Sequence, residues 1–384
     1  MSQPKIHLRA LPNVEFVHGY PGIPASPDRQ QANVRGTLEL RVSQQSVKAK
    51  LLKIELRKIE SIPGTGNRAE ELIDLIGQPI TLWQAAAEGD TLGSRDFPFN
   101  IRIPETVPPS VALRGGAGIR YEVTGILLMK GKKGMFRREA SITITHSVAV
   151  VIDKHELHST WPIYAQPESR QVVREDLLSL IIDRSSTCFA PGDKIVVVAT
   201  LKTDNLTPVV LRSFEYYLVE TVTFQGGHNP SKKHGTAAPQ ISLIAEQKLA
   251  LSLTLYGGTQ HRVELGCILP QNHTTSTISS ARHIDVSYKA RIRTILDHLP
   301  PLEMELPVTI TNWPRHVSAE LIRRIGAIPN LSTSRQAAGR PTMPPPMPPP
   351  TGALPNIPGI PEGPPAVPPK ADIPSSRGLM SSLA

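Results

Sequence analysis

The feature that most constrains the fold is a succession of short segments in which apolar and polar residues alternate. Alternation with period two places every second side chain on the same face of an extended strand. In the first half of the chain these segments are Gly36–Val42, Val47–Leu56, Ile80–Trp83, Phe97–Ile103, Gly118–Met129 and Arg138–Val151. In the second half they are Leu178–Ile182, Lys194–Lys202, Val209–Thr223, Ile241–Leu255, Gln260–Cys267, Arg282–Thr294 and Met304–Thr311. Many short strands separated by turns predict β-sandwiches rather than alternating strands and helices.

Two segments have the pattern of short helices. Arg68–Ile76 places Leu72, Leu75 and Ile76 on one helical face. Pro314–Ile325 carries apolar residues near its end at helical spacing. Apolar residues three and four positions apart are typical of an amphipathic helix. We therefore expect two short helices beside the sheets.

Composition divides the chain into five segments. We predict a first sandwich over residues 1–153, a linker over 154–174, a second sandwich over 175–315, a short helix or extension over 316–329 and a disordered Pro-rich tail over 330–384. The linker lacks alternation and is rich in Pro, His, Ser and Gln. The chain has 38 prolines, about twice the ordinary usage, and they concentrate in the tail. Such a tail cannot bury enough apolar surface to offset the entropy of ordering it.

The charge and the hydropathy pattern limit the possible partners and compartments. The formal net charge is +9, which attracts nucleic acid, anionic lipid or acidic partners. No basic stripe is interleaved with aromatic residues, so nucleic acid is not expected. No apolar run reaches the length of a membrane-spanning helix, and the first residues lack the apolar core of a secretory signal. With two cysteines, the sequence predicts a protein of the reducing cytosol.

The motifs of common enzymes are missing from the sequence. There is no GxSxG, no P-loop, no GxGxxG after a strand and no HExxH. Cys188 and Cys267 are predicted to be small buried thiols rather than nucleophiles. His155 and His158 are three residues apart, but no third ligand lies nearby in sequence. We expect a protein without catalytic activity, metal or cofactor.

The Pro-rich tail contains a candidate partner-binding motif. Pro365-Ala366-Val367-Pro368-Pro369-Lys370 fits the PxxPx+ pattern, in which Pro365 and Pro368 fill the aromatic grooves of an SH3 domain and Lys370 meets its acidic pocket. The run Met343–Pro350 suits a WW, EVH1 or profilin-type partner equally well. The alternative is that the tail is a solvated spacer.

A basic hairpin is predicted between two strands of the first sandwich. It carries five cations, Lys130, Lys132, Lys133, Arg137 and Arg138. These charges suit an anionic lipid surface or a phosphorylated or acidic cargo tail. Near a charged membrane each basic residue contributes about 1 kcal/mol to the free energy of binding. The alternative is a solvated turn whose charges protect a sheet edge from pairing.

Four stretches of the sequence occur in an order that matches a known family. They are Val34–Leu40 with Val47–Leu56; Phe97–Glu105 with Pro108-Pro109-Ser110 and Gly118–Val123; Ile182-Asp183-Arg184 with Pro191–Ile195; and Ile284–Ala290 with Leu302–Thr311. Together they resemble the arrestin fold, in particular the fungal α-arrestins, or arrestin-related trafficking adaptors. The resemblance covers about residues 5–315 and none of the tail.

The resemblance implies two tandem arrestin-type, immunoglobulin-like β-sandwiches and a role as an adaptor. Members link the cytosolic tails of membrane transporters or receptors to a HECT-type ubiquitin ligase, at the plasma membrane or on endosomes. In fungi the ligase's WW domains read a PPxY motif, which this chain lacks. Its nearest approach is the degenerate motif formed by Pro162 and Tyr164 in the linker; the alternative is a linker that packs its aromatics between the sandwiches. The family topology would also add Lys5 and Arg9 to the basic hairpin's surface.

Two other functions fit the same residues. The chain is alternatively an SH3-binding scaffold in polarity or actin-linked signalling, with the sandwiches serving as a platform. It is also alternatively an arrestin-like sorting protein of the retromer type, because a fold alone does not fix a function.

Overall fold

The computed structural model describes residues 4–9, 11–17, 32–43, 45–64, 69–87, 90–104, 106–130, 141–155, 157, 159–175, 177–226 and 238–325. All of these residues belong to one compact unit, Met1–Arg335. The second unit, Gln336–Ala384, contains none of the described residues. Within the described residues almost all regular structure is β. No helix in these residues is long and apolar enough to cross a membrane.

The first sandwich is built from the strands of the N-terminal half. They are β1 (Lys5–Leu8), β2 (Val14–Val17), β3 (Asn33–Arg41), β4 (Val47–Pro63), β5 (Ala69–Gln84), β6 (Thr91–Leu92), β7 (Arg95–Arg102), β8 (Val111–Ala112), β9 (Gly118–Lys130), β10 (Ser141–Val150) and β11 (Ile152–His155). One sheet has the order β1-β3-β7 and the other β10-β9-β4-β5, with β6 on β4 and β8 on β9. β11 pairs in parallel with β2. The inner faces meet in a core that includes Leu38, Leu52, Ile54, Tyr121 and Val123, all fully buried.

The second sandwich follows directly. Its strands are β12 (Glu168–Arg174), β13 (Leu178–Arg184), β14 (Cys188–Phe189), β15 (Lys194–Thr203), β16 (Val209–Phe224), β17 (Gln240–Leu255), β18 (Thr259–Ile268), β19 (Ile284–Leu296) and β20 (Leu302–Ile310). The sheets have the orders β12-β13-β15-β18 and β14-β20-β19-β16-β17. Phe214, Tyr216 and Tyr288 are buried in its core. The predicted pair of β-sandwiches is confirmed.

The predicted helix over Arg68–Ile76 is wrong, because Ala69–Ile76 lie in the strand β5. β5 pairs along its length with β4, from Pro63↔Ala69 to Leu51↔Gln84. Glu, Leu and Ala favour a helix in isolation, but propensity yields to a long antiparallel partner. The other predicted helix is confirmed as α1 (Arg315–Ile325).

The predicted linker also differs from the structure, since its last residues form β12. This strand pairs with β13 from Glu168↔Arg184 to Arg174↔Leu178. β12 is an outer strand whose residues are mostly exposed or half-buried, so its sequence lacks the apolar alternation that marks a half-buried strand.

One glycine marks a very close approach between two strands. A Cβ on Gly266 of β18 would lie 2.0 Å from the carbonyl oxygen of Ile195 on β15. Real Cβ atoms do not approach a backbone oxygen so closely, so only glycine fits this position without moving a strand.

Candidate functional site

Four loops meet at the end of the second sandwich that faces away from the first. They are residues 175–177, 204–208, 256–258 and 297–301. The loops are held to one another by the backbone: Asp204 N–H donates to Leu177 O over 2.7 Å, and Gly258 N–H donates to Thr203 O over 2.8 Å. We call this cluster of loops the distal tip.

Each loop of the distal tip presents one large apolar side chain to solvent. Leu206 is 100% exposed, Tyr256 61%, Leu177 40% and Leu299 37%. A single exposed leucine is ordinary, but four apolar side chains on adjacent loops indicate an interaction surface. The sequence did not reveal this surface, because lone apolar residues in separate loops have no periodicity.

The basic residues Arg174, Lys202 and Arg212 around the distal tip are each engaged by a carboxylate or a carbonyl oxygen. Arg212 lies 2.6 Å from the carboxylate of Asp297, and Lys202 lies 3.0 Å from that of Asp204. The guanidinium of Arg174 donates to the carbonyl oxygen of Pro301 over 2.7 Å. The exposed apolar side chains of the tip therefore stand beside basic groups that already have partners.

The end of the first sandwich that is farther from the second sandwich is basic. Lys130 ends β9 opposite Ser141, Lys5 on β1 lies opposite Arg41, and Lys48 begins β4. These strand ends lie together, because β3 turns directly into β4 and β4 pairs with β9. Lys5 and Lys48 are exposed and form no ion pair with a described residue. We call Lys5, Lys48 and Lys130 the basic end.

The remaining predicted members of this surface have other positions. Arg9 is ion-paired with Glu39 on the neighbouring strand, so its charge is already partly neutralised. The rest of the predicted hairpin cluster, Lys132, Lys133, Arg137 and Arg138, lies outside the described residues.

The degenerate motif in the linker forms a compact turn. Pro162–Tyr164 is a single turn of 3-10 helix, in which Tyr164 N–H donates to Trp161 O over 2.9 Å. The carbonyl oxygen of Tyr164 accepts the N–H of Thr187 from the second sandwich over 2.9 Å, and Trp161 is buried. A WW domain binds its ligand in the extended polyproline conformation, so the turn would have to open to be read.

The predicted SH3 ligand, Pro365, Pro368 and Lys370, lies outside the described residues, as does His158. The prediction for the tail therefore stands on the sequence.

The two sandwiches are joined by a buried cluster of charges and backbone amides. The carboxylate of Glu60 on β4 is fully buried and accepts the backbone N–H groups of Arg282 at 3.1 Å and His283 at 2.7 Å. Lys58, on the same face of β4, places Nζ 2.5 Å from Glu60 and 3.2 Å from Asp74. We call these five residues the joint.

A second contact between the sandwiches is aromatic. The imidazole of His155 on β11 stacks on the indole of Trp313, with ring centroids 3.3 Å apart and planes inclined by 18°. Burial lowers the pKa of His155 from 6.5 to about 4, because a charged imidazolium loses its hydration in this position.

The two cysteines have the character of structural thiols. Cys188 is buried, and burial raises its pKa far above the ordinary value. Burial also raises the pKa of Cys267 to about 11. Neither is a thiolate at neutral pH. In the described part of the chain, no group of three or more His, Cys, Asp or Glu side chains is arranged to hold a metal ion.

Comparison with known proteins gives one family match. Residues 174–315 match the model for the arrestin (or S-antigen) C-terminal domain. The matched segment runs from the end of β12 to the start of α1 and so contains β13 to β20 of the second sandwich. No curated protein matches the chain. The match supports an arrestin-like family and an arrestin-like adaptor or scaffold, a class whose members are generally non-catalytic.

Proposed function

We propose that this chain is a cytosolic trafficking adaptor of the fungal α-arrestin kind, which links membrane-protein cargo to the ubiquitination and endocytosis machinery without catalysing a reaction itself. The observation that carries the proposal is the arrestin match over the second sandwich, together with two strand-rich sandwiches that offer partner-binding surfaces. Transporter or receptor tails are the proposed cargo.

The distal tip and the basic end support recruitment to the cytosolic face of a membrane. Leu206 and Tyr256 are exposed at the tip, and apolar side chains of this kind enter the boundary between headgroups and acyl chains. The lysines of the basic end add about 1 kcal/mol each on an anionic surface. The distal tip would bind through apolar insertion and the basic end through electrostatic attraction. Lipid charge and salt should therefore affect binding by the basic end and have little effect on binding by the distal tip.

The tail supports the adaptor role by adding a second kind of binding element. Pro-rich segments bind with little loss of conformational entropy, because their extended form exists before binding. A tail joined to folded sandwiches raises the effective concentration of each partner for the other. Individual contacts can then be weak while the assembly remains specific.

The test of the adaptor role is an affinity pull-down from fungal-type cytosol and membranes. It compares the full chain, a truncation after Leu331, and the full chain with Pro162→Ala and Tyr164→Ala. Retention of a HECT-type ligase and a transporter by the first two supports the proposal and assigns the ligase contact to the folded part or linker. Loss of the ligase from the double variant alone assigns that contact to the linker turn.

The second candidate is an SH3-binding scaffold, and the Pro365–Lys370 motif is the observation that favours it. If only SH3-domain proteins are captured, and truncation after Leu331 removes them, the ubiquitination role is overturned and the scaffold takes its place. Capture of retromer subunits by the sandwiches, with no ligase, would instead support the sorting role.

A further inference from the structure

The first sandwich has a cleft on its side, between the edges of its two sheets. β5 is the outer strand of one sheet and β7 is the outer strand of the other. The cleft has a volume of about 610 Å³ and is lined mainly by Ile76, Gly77 and Ile80 of β5 and by Ile101, Arg102 and Pro104 at the end of β7. It belongs to none of the surfaces described above.

The backbone along this cleft is suited to pairing with another strand. Among the described strands, β7 has only β3 as a neighbour, so its other edge carries N–H and C=O groups toward the cleft. On β5, residues 77–79 have no register partner on β4, because Ile76 lies opposite Leu56 and Ile80 lies opposite Ile54. An unpaired strand edge such as that of β7 is where an extended peptide can add through main-chain hydrogen bonds.

The side chains around the cleft differ on its two faces. Ile101 is buried, and Ile76 and Ile80 are half-buried, so the inner side of the cleft is aliphatic. Asn100 and Arg102 are exposed on the outer face of β7. A strand added to β7 would direct alternate side chains toward the isoleucines and the others beside Arg102.

The outer face here carries positive charge that no described residue neutralises. Arg102 and Arg35 lie on adjacent strands, with Arg35 opposite Asn100. Both are exposed, and neither forms an ion pair with a described residue. In contrast, Arg41 on the same sheet is held by Asp96 at 2.5 Å and Glu39 at 2.9 Å. The two free arginines select for acidic groups on the outward side of an added strand.

We propose that this cleft binds an extended segment of a partner protein in which acidic and aliphatic residues alternate, and that the segment adds as a strand to β7. The aliphatic side chains fill the cleft against Ile76, Ile80 and Ile101, and the acidic side chains pair with Arg102 and Arg35. The site goes beyond the adaptor role proposed above and does not depend on it.

The experiment uses the full chain and a fluorescein-labelled octapeptide that alternates glutamate and valine. Binding is measured by fluorescence anisotropy. We expect Arg102→Glu to weaken binding by about tenfold or more, the loss of one charge-assisted contact and its replacement by repulsion, and Arg102→Lys to retain most of it. The matched control is Arg262→Glu, an exposed arginine on β18 of the second sandwich, which should leave the affinity unchanged.

Two further probes separate strand addition from simple charge attraction. A peptide with N-methyl groups on alternate amides cannot complete the main-chain pairing and should bind about tenfold more weakly. A peptide with lysine in place of glutamate should not bind. Hydrogen exchange should show new protection within Arg95–Arg102 when the first peptide is bound.

The proposal is overturned by any of three results. These are no binding of the glutamate peptide, an affinity unaffected by Arg102→Glu, or hydrogen-exchange protection confined to strands other than β5 and β7. Circular dichroism melting of each variant verifies that lost binding does not reflect lost folding.

Discussion

The carboxylate of Glu60 in the first sandwich accepts the backbone N–H of His283 in the second over 2.7 Å. Both residues are buried, and the next amide, that of Arg282, donates to the same carboxylate. Lys58 neutralises the charge from two residues away on β4. A buried carboxylate with this many partners holds the segment before β19 against the first sandwich.

We expect Glu60→Gln to lower the free energy of unfolding by about 3 kcal/mol, because breaking a buried ion pair leaves the other charge less compensated. The side-chain NH₂ group of the glutamine would also face a backbone N–H of Arg282 or His283, which needs an acceptor. The measurement is chemical denaturation followed by tryptophan fluorescence. Glu264→Gln, in an exposed pair with Lys194, is the control and should have little effect. Equal stability of the two variants would contradict the role given to the joint.

The second prediction concerns pH and His155. Its pKa is lowered to about 4 in the folded chain and is 6.5 ordinarily, so the unfolded chain binds the extra proton between these values. The contribution of His155 to the free energy of unfolding should therefore be fully present above pH 6.5 and fall as the pH drops to about 4. Below that pH it should fall no further, and the total loss should be about 3 kcal/mol.

Denaturation at pH 7.5, 6.0 and 5.0, compared with His155→Phe, measures this contribution. The variant should lose less stability on acidification than the parent chain does. His298→Asn is the control, because the side chain of His298 is 93% exposed. A parent chain and His155→Phe variant with the same pH dependence would show that His155 is not the source.

The third prediction concerns the distal tip. Leu206→Ser with Tyr256→Ser should leave the melting temperature unchanged, since both side chains are exposed. Co-sedimentation with neutral phosphatidylcholine vesicles should fall by about tenfold or more, because each inserted side chain contributes about 1.5–3 kcal/mol when buried.

The matched change at the other surface is Lys5→Glu with Lys48→Glu. It should reduce binding only to vesicles that contain anionic lipid, and the reduction should disappear at high salt. If the serine variant binds neutral vesicles as well as the parent chain does, the distal tip is not a membrane-contacting surface.

The fourth prediction tests the close approach of β15 and β18. Gly266→Ala places a Cβ against the carbonyl oxygen of Ile195, and because both atoms belong to paired strands, one strand must move. We expect a loss of about 3 kcal/mol, at the upper end of overpacking effects. At Gly226 no described atom lies within 4 Å of the added Cβ, so Gly226→Ala should be close to neutral in the same denaturation assay.

Period-two alternation identified most of the strands because a half-buried strand displays one apolar face. It did not identify β12, whose polar residues pair at a sheet edge. Part of β5 was predicted as a helix because its apolar residues also occur at helical spacing. The predicted end of β4 at Leu56 fell short of the observed end at Pro63. Lys58 and Glu60 lie in this extension, where the first sandwich meets the second.

The candidate surfaces were less accessible to sequence reasoning. Charge density pointed to Lys130 and its neighbours, since adjacent cations are visible in the chain. The distal tip depends on the register of strands that are far apart in sequence, and the cleft beside Arg102 depends on two edges from different sheets. Such sites arise from tertiary packing, so no local sequence pattern predicts them.

The joint has a consequence for how the sandwiches can move. Its central contacts involve a carboxylate, an ammonium group and two amides, all of which water can solvate once they separate. Reorienting the sandwiches therefore requires these polar groups to exchange one another for water and the stacked rings of His155 and Trp313 to separate.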